Sequence, residues 1–78
     1  MRILNNINID LNTNNETVFE LTVKCNSAAE VMDVFRATED ASNLVVDSFE
    51  SNDVTIITEA WRFSTEQDFI KSVRKLLK

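Results

Sequence analysis

The sequence predicts an α+β domain of ββα-ββα order: a four-stranded antiparallel sheet with two helices packed on one face. Three observations predict it. Alternating apolar and polar stretches occur as two pairs, each pair is followed by a helix-start motif with an apolar helical stripe, and the length of 78 residues suits one domain spanning residues 1–78.

The first pair of strands comes from residues 3–11 and 17–25, which both alternate apolar and polar side chains. The polar stretch 12–15 between them has the composition of a turn. We therefore expect a hairpin with one apolar face, in which Cys25 is a small buried hydrophobic residue at the end of the second strand.

The first helix should begin at the capping box formed by Ser27 and Glu30, where each side chain can bond a free backbone N–H. An apolar stripe at helical spacing follows. We expect the helix to end near Ala41. Because the chain has no glycine, Asn43 should take the left-handed position that often ends a helix.

The second pair of strands comes from residues 44–49 and 54–63, which are rich in β-branched and aromatic side chains. A second capping box starting at Ser64 opens the last helix. That helix has an apolar stripe on one side and four basic residues on the other, namely Lys71, Arg74, Lys75 and Lys78.

The second hairpin carries large apolar groups on both faces, whereas two helices can cover only one. The uncovered face would then expose some of four residues: Val45, Phe49, Ile57 and Trp61. A contiguous exposed apolar patch usually marks an interface, so we interpret these four as a protein-binding surface. The alternative is that the sheet twist or a chain end buries them.

Catalysis is not expected. The chain has no histidine, one cysteine and no glycine, so it lacks an imidazole base, a cysteine-based metal cluster and a glycine-rich phosphate loop. Its carboxylate pairs fall on predicted helix surfaces and helix ends. We therefore expect no enzyme activity, no cofactor and no metal ion.

The net charge of −5 should steer the protein toward basic partners and away from nucleic acid and anionic membranes. If its acidic residues share one side, they could imitate a phosphate backbone. The candidates lie on the first helix and around the second hairpin: Glu30, Asp33, Glu39, Asp40, Asp47, Glu50 and Asp53.

These observations favour a small, non-catalytic interaction protein that binds another protein with a basic surface. In composition, rich in asparagine without glycine or proline, the chain resembles small phage and mobile-element proteins, and this resemblance would imply an inhibitor or regulator such as an anti-defence protein. The alternatives are a self-associating homodimer and a nucleic-acid-binding module that uses the basic last helix. No stretch has the length of a membrane span or the apolar core of a secretory signal, so we expect a cytoplasmic location.

Overall fold

The computed structural model describes residues 1–77, apart from the side chains of Asn5 and Asn6. Its elements in chain order are β1 (Arg2–Leu11), β2 (Thr17–Lys24), α1 (Ala28–Glu39), β3 (Val45–Glu50), β4 (Asp53–Glu59), a 3-10 helix (Ala60–Arg62) and α2 (Glu66–Leu76). The predicted α+β class with two helices and an antiparallel sheet is confirmed. The predicted ββα-ββα order is not met in full, because the 3-10 helix stands between β4 and α2.

The sheet has the strand order β1-β2-β4-β3, and neighbouring strands are antiparallel. The two hairpins therefore lie side by side, with β2 and β4 in the middle and β1 and β3 at the edges. In the centre, Leu21 pairs with Ile56 and Val23 pairs with Val54. All four side chains are fully buried, so they define the face on which the core forms.

Both helices pack on this face, because their buried side chains join the same hydrophobic cluster. Helix α1 contacts β3 and β4, and α2 contacts β1, so each helix lies over the hairpin that did not precede it. Phe69 of α2 is fully buried, with its ring centroid 6.1 Å from that of Phe19 and 5.5 Å from that of Phe63. Within the described residues, no helix is long and apolar enough to span a membrane.

The helix starts follow from capping side chains. At α1, the hydroxyl of Ser27 accepts a hydrogen bond from the backbone N–H of Glu30 at 3.3 Å, as the capping box predicts. At α2, the cap is Thr65, whose hydroxyl accepts from the N–H of Asp68 at 3.2 Å. The predicted cap at Ser64 is wrong by one residue.

The left-handed backbone positions lie in the hairpin turns and not at the end of α1. Helix α1 ends at Glu39, and its C-cap Asp40 has an ordinary φ of −90°. The left-handed role predicted for Asn43 is therefore wrong. Among the described residues, the positive φ values belong to Asn15 (60°) and Ser51 (55°), which replace glycine in a chain that has none.

A β-bulge interrupts the alternation of β3. Val46 pairs with Ile56 of β4, but Ser48 pairs with the next residue of that strand, Thr55. Asp47 is therefore an extra residue in the ladder. Because side chains alternate with a period of two, one extra residue exchanges the faces of all residues that follow it in β3.

Candidate protein-binding face

The helices leave one face of the sheet uncovered, the open face. Because Leu21 and Ile56 pair on the helix-bearing face, their neighbours Glu20 and Ile57 pair on the open face. Val45 pairs with Ile57 from the other side. A cross-strand row of Glu20, Ile57 and Val45 therefore runs across three strands, and neither helix covers it.

The apolar part of the open face surrounds a shallow depression. Val45 is 58% exposed, Ile57 is partly buried, and Val18 beside them is buried. These three side chains line part of a depression of about 140 Å³, and Glu59 and Arg62 lie on its polar side. The depression thus has apolar walls and a charged rim.

The charged part of the open face is mostly acidic. Burial raises the pKa of the Glu20 carboxyl, and the nearby carboxylates of Asp10 and Asp47 raise it further. Asp10 lies on the edge strand β1 and Asp47 at the bulge of the opposite edge strand β3, so Glu20 on β2 has an acidic side chain on each side of it across the sheet. On the rim, the Glu59 carboxylate lies 3.5 Å from the guanidinium of Arg62.

A polar row lies beyond the apolar one. Thr22 pairs with Thr55, and Thr55 pairs with Ser48, so three hydroxyl side chains cross the open face. Beyond them the ammonium group of Lys24 lies 3.4 Å from a carboxylate oxygen of Asp53. The open face is therefore a mixed surface, not the continuous apolar patch that the sequence predicted.

The four predicted interface residues do not share one surface. Val45 and Ile57 are paired on the open face, as expected. Phe49 is 58% exposed, as predicted, but on the helix-bearing side: it pairs with the core residue Val54, and its ring packs edge-on against Phe35 of α1, with centroids 5.4 Å apart. The placement of Phe49 on the uncovered face is therefore wrong, because the bulge exchanges the two faces of β3 after its first residues.

Trp61 also lies apart from the strands, although the sequence predicts it within the last one. It belongs to the 3-10 helix, where its side chain is 69% exposed. The guanidinium of Arg62 lies 4.5 Å from the centroid of its ring, and the same group donates a hydrogen bond to Asn43 at 3.0 Å. The exposed indole is thus held next to the rim of the depression.

The seven predicted acidic residues are divided between the helix layer and the sheet. Four of them, Glu30, Asp33, Glu39 and Asp40, belong to α1 or its end, and the other three, Asp47, Glu50 and Asp53, belong to the β3–β4 hairpin. They occupy the two elements that the sequence indicates, and their imitation of a phosphate backbone stays a prediction. Two further acidic residues of the open face, Asp10 and Glu20, were missed, although their positions on the polar side of alternating strands were a signal for them.

The basic residues of α2 lie on the side away from the core. Lys71, Arg74 and Lys75 are exposed, whereas Phe69 and Val73 on the opposite side of the helix are buried. The fourth predicted phosphate contact, Lys78, lies outside the described residues.

The remaining reactive group is Cys25. Its side chain is buried in the core cluster, and burial raises the pKa of the thiol, with a smaller contribution from the carboxylate of Glu30. A thiol in this state is a poor nucleophile. Residues 1–77 contain no group of three or more acidic, cysteine or histidine side chains that could hold a metal ion.

The open face thus combines an apolar centre with acidic neighbours, on the central strands β2 and β4 and the edge strand β3. Comparisons of the chain with protein-family models, with curated proteins and with solved structures gave no match.

Proposed function

We propose that the protein is a non-catalytic binding protein whose open face engages the basic surface of a partner protein. The observation that carries the proposal is the uncovered row of Val45 and Ile57, which continues into the carboxylate of Glu20 on β2 and adjoins Asp47 at the bulge of β3. By occupying a basic surface, the protein would act as an inhibitor or regulator of its partner.

The apolar centre supplies affinity. Val45 is more than half exposed in the free chain, and full burial of such a side chain is worth about 1.5–3 kcal/mol. Protein interfaces typically have an apolar centre that loses its water and a polar rim that stays wet. Val45, Ile57 and the depression between them fit the first description, and the hydroxyl row fits the second.

The acidic neighbours supply specificity. Burial and like charges both disfavour the ionised form of Glu20, so a cation from a partner would relieve an unfavourable arrangement. The depression of about 140 Å³ has apolar side chains beside the Glu59–Arg62 ion pair, so it suits an apolar side chain of the partner, while Glu20 and Asp47 remain for its cations. The net charge of −5 would steer such a partner during approach.

The test compares variants of the open face with a matched variant on the helix layer. Immobilised chains are offered extracts of the cells that produce the protein, and retained proteins are identified by mass spectrometry. Val45→Lys should lose the partner. Met32→Lys, which places the same charge on an exposed apolar residue of α1, should retain it.

Retention should also weaken as salt is raised, because the attraction is electrostatic. Thermal unfolding of each chain confirms that the variants are folded. A partner that binds Val45→Lys as strongly as the wild type would contradict the proposal.

A further inference from the structure

The outer edge of β1 exposes apolar side chains along an unpaired strand. β1 lies at the edge of the sheet, and no described strand pairs with its outer side. Near its end, Ile9 and Leu11 are each 59% exposed, because the helices do not extend over this part of the sheet. An exposed edge strand of this kind is a ready template for pairing with another strand.

β1 carries one basic and one acidic residue, Arg2 and Asp10. Their β2 pairing partners lie at equal distances from the middle of the paired segment. Arg2 pairs with Lys24 of β2, and Asp10 pairs with Val18. Lys24 and Val18 are each three residues from Leu21. A two-fold axis at the level of Leu21 would therefore place the arginine of one chain opposite the aspartate of another.

The apolar residues have the same symmetry. Ile3 pairs with Val23 and Ile9 pairs with Phe19, and these β2 residues are each two positions from Leu21. Ile7 pairs with Leu21 itself. The same axis would place Ile3 opposite Ile9 of a second chain and Ile7 opposite its own copy, all on the helix-bearing face.

We propose that a second copy of this chain pairs antiparallel along the outer edge of β1. In this dimer, Arg2 faces the partner's Asp10, and the symmetry repeats that contact at the other end of the strand. Ile3, Ile7 and Ile9 form a continuous apolar row with their copies across the junction. Both chains use the same edge of β1 in this two-fold contact, so no β1 edge is left for a third chain and assembly stops at two chains.

Charge complementarity selects this occupant. Within the described residues Arg2 forms no ion pair, and its cross-strand neighbour is the like-charged Lys24, which itself pairs with Asp53. Asp10 in turn lies near the carboxylate of Glu20. Arg2 thus has a like-charged cross-strand neighbour and Asp10 a like-charged carboxylate nearby, and the proposed partner brings an opposite charge to each end of β1.

A bulge in β1 limits the strength of the dimer. Ile3 and Ile7 are four residues apart but pair with β2 residues only two apart, so two extra residues interrupt the ladder between them. Backbone pairing across the junction is then confined to short runs on either side of the bulge. Bulges of this kind restrict edge pairing, so we expect a dimer that dissociates on dilution.

Sedimentation velocity from micromolar to millimolar concentration tests the proposal. The wild-type chain should change from monomer to dimer over this range. Asp10→Arg and Arg2→Asp should each weaken dimerisation by at least about tenfold, because each replaces two attractive contacts with two repulsive ones. An equal mixture of the two variants should dimerise again, since both contacts in the mixed pair join opposite charges.

The matched control is Glu39→Arg, which makes the same change of charge at the exposed end of α1, on the helix that contacts β3 and β4, and should leave dimerisation unchanged. If a charge variant fails to fold, hydrogen exchange of the wild-type chain decides instead: the amides of β1 should become protected as concentration rises. A wild-type chain that stays monomeric at millimolar concentration would overturn the proposal. So would dimerisation of Asp10→Arg with wild-type strength.

Discussion

Two glutamates have pKa values that are shifted in opposite directions by their local surroundings. The carboxylate of Glu30 accepts a hydrogen bond from the backbone N–H of Asn26 at 2.7 Å and lies 3.1 Å from the amino group of Met1. These contacts favour the ionised form and lower its pKa, the backbone hydrogen bond most of all. Glu20 is partly buried beside two other carboxylates, so its pKa is raised. Glu30 therefore stabilises the fold as an anion, whereas Glu20 opposes it.

Glu20→Gln should accordingly raise the melting temperature at neutral pH. Because the pKa of Glu20 is higher in the folded than in the unfolded chain, its ionisation costs stability, and this cost is complete above the folded-state pKa. The cost disappears as pH falls below the ordinary glutamate value. The difference between variant and wild type should therefore be largest at neutral pH and vanish in acid.

Thermal melts at several pH values measure this difference. Glu16→Gln, an exposed glutamate at the turn before β2, is the matched control and should show little change at any pH. A stabilisation by Glu20→Gln that is the same in acid and at neutral pH would contradict the account of Glu20.

At the scale of elements, the sequence offered two adjacent residues as the N-cap of α2. Both Ser64 and Thr65 are good capping residues, and each is followed three positions later by a polar side chain that suits a cap. The structure selects Thr65, after a 3-10 helix has used residues 60–62 and placed Phe63 against the ring of Phe69. Local pattern alone does not distinguish the two candidates, because the choice depends on packing against the core.

Thr65→Ala should lower the free energy of unfolding by about 1 kcal/mol, because the N–H of Asp68 loses its acceptor. Ser64→Ala changes the neighbouring hydroxyl, which caps nothing, and should leave stability within about 0.5 kcal/mol of the wild type. Urea denaturation measures both. A larger loss in Ser64→Ala than in Thr65→Ala would place the cap where the sequence motif suggested it.

At the scale of the whole molecule, stability depends on one small core. Typical values per residue give a chain of this length a free energy of unfolding of roughly 4–12 kcal/mol. Phe69 lies fully buried between the sheet and α2, in contact with two other aromatic rings. Trp61, in contrast, lies outside this core on the 3-10 helix.

Phe69→Ala should therefore cost about 3–5 kcal/mol, a large part of the total stability. Trp61→Ala should change stability by less than about 1 kcal/mol, because the indole is mostly exposed and loses mainly its contact with Arg62. Since Trp61 is the only tryptophan, its fluorescence offers a second measurement. Acrylamide should quench it almost as well in the native chain as in urea, and a strongly protected indole would contradict the placement.

The two proposed surfaces are compatible in one assembly. Antiparallel pairing along β1 continues the sheet, so both open faces lie on the same side of the dimer and all helices lie on the other. Val45 and Ile57 are near the opposite edge of each sheet and stay accessible. A dimer would present two copies of the open face, which strengthens binding to a partner with repeated basic sites.

The sequence by itself determined the features that depend on a short stretch of chain: the α+β class, the alternating strands, the amphipathic helices and the cap at Ser27. Periodicity reports these because each side chain's direction follows from its own segment. Only the tertiary structure decided which strands are neighbours, that a bulge at Asp47 turns Phe49 toward α1, and that Glu20 has Asp10 on one side and Asp47 on the other across the open face. The physical reason is that lateral pairing and ladder register minimise the free energy of the whole sheet, to which distant segments contribute together.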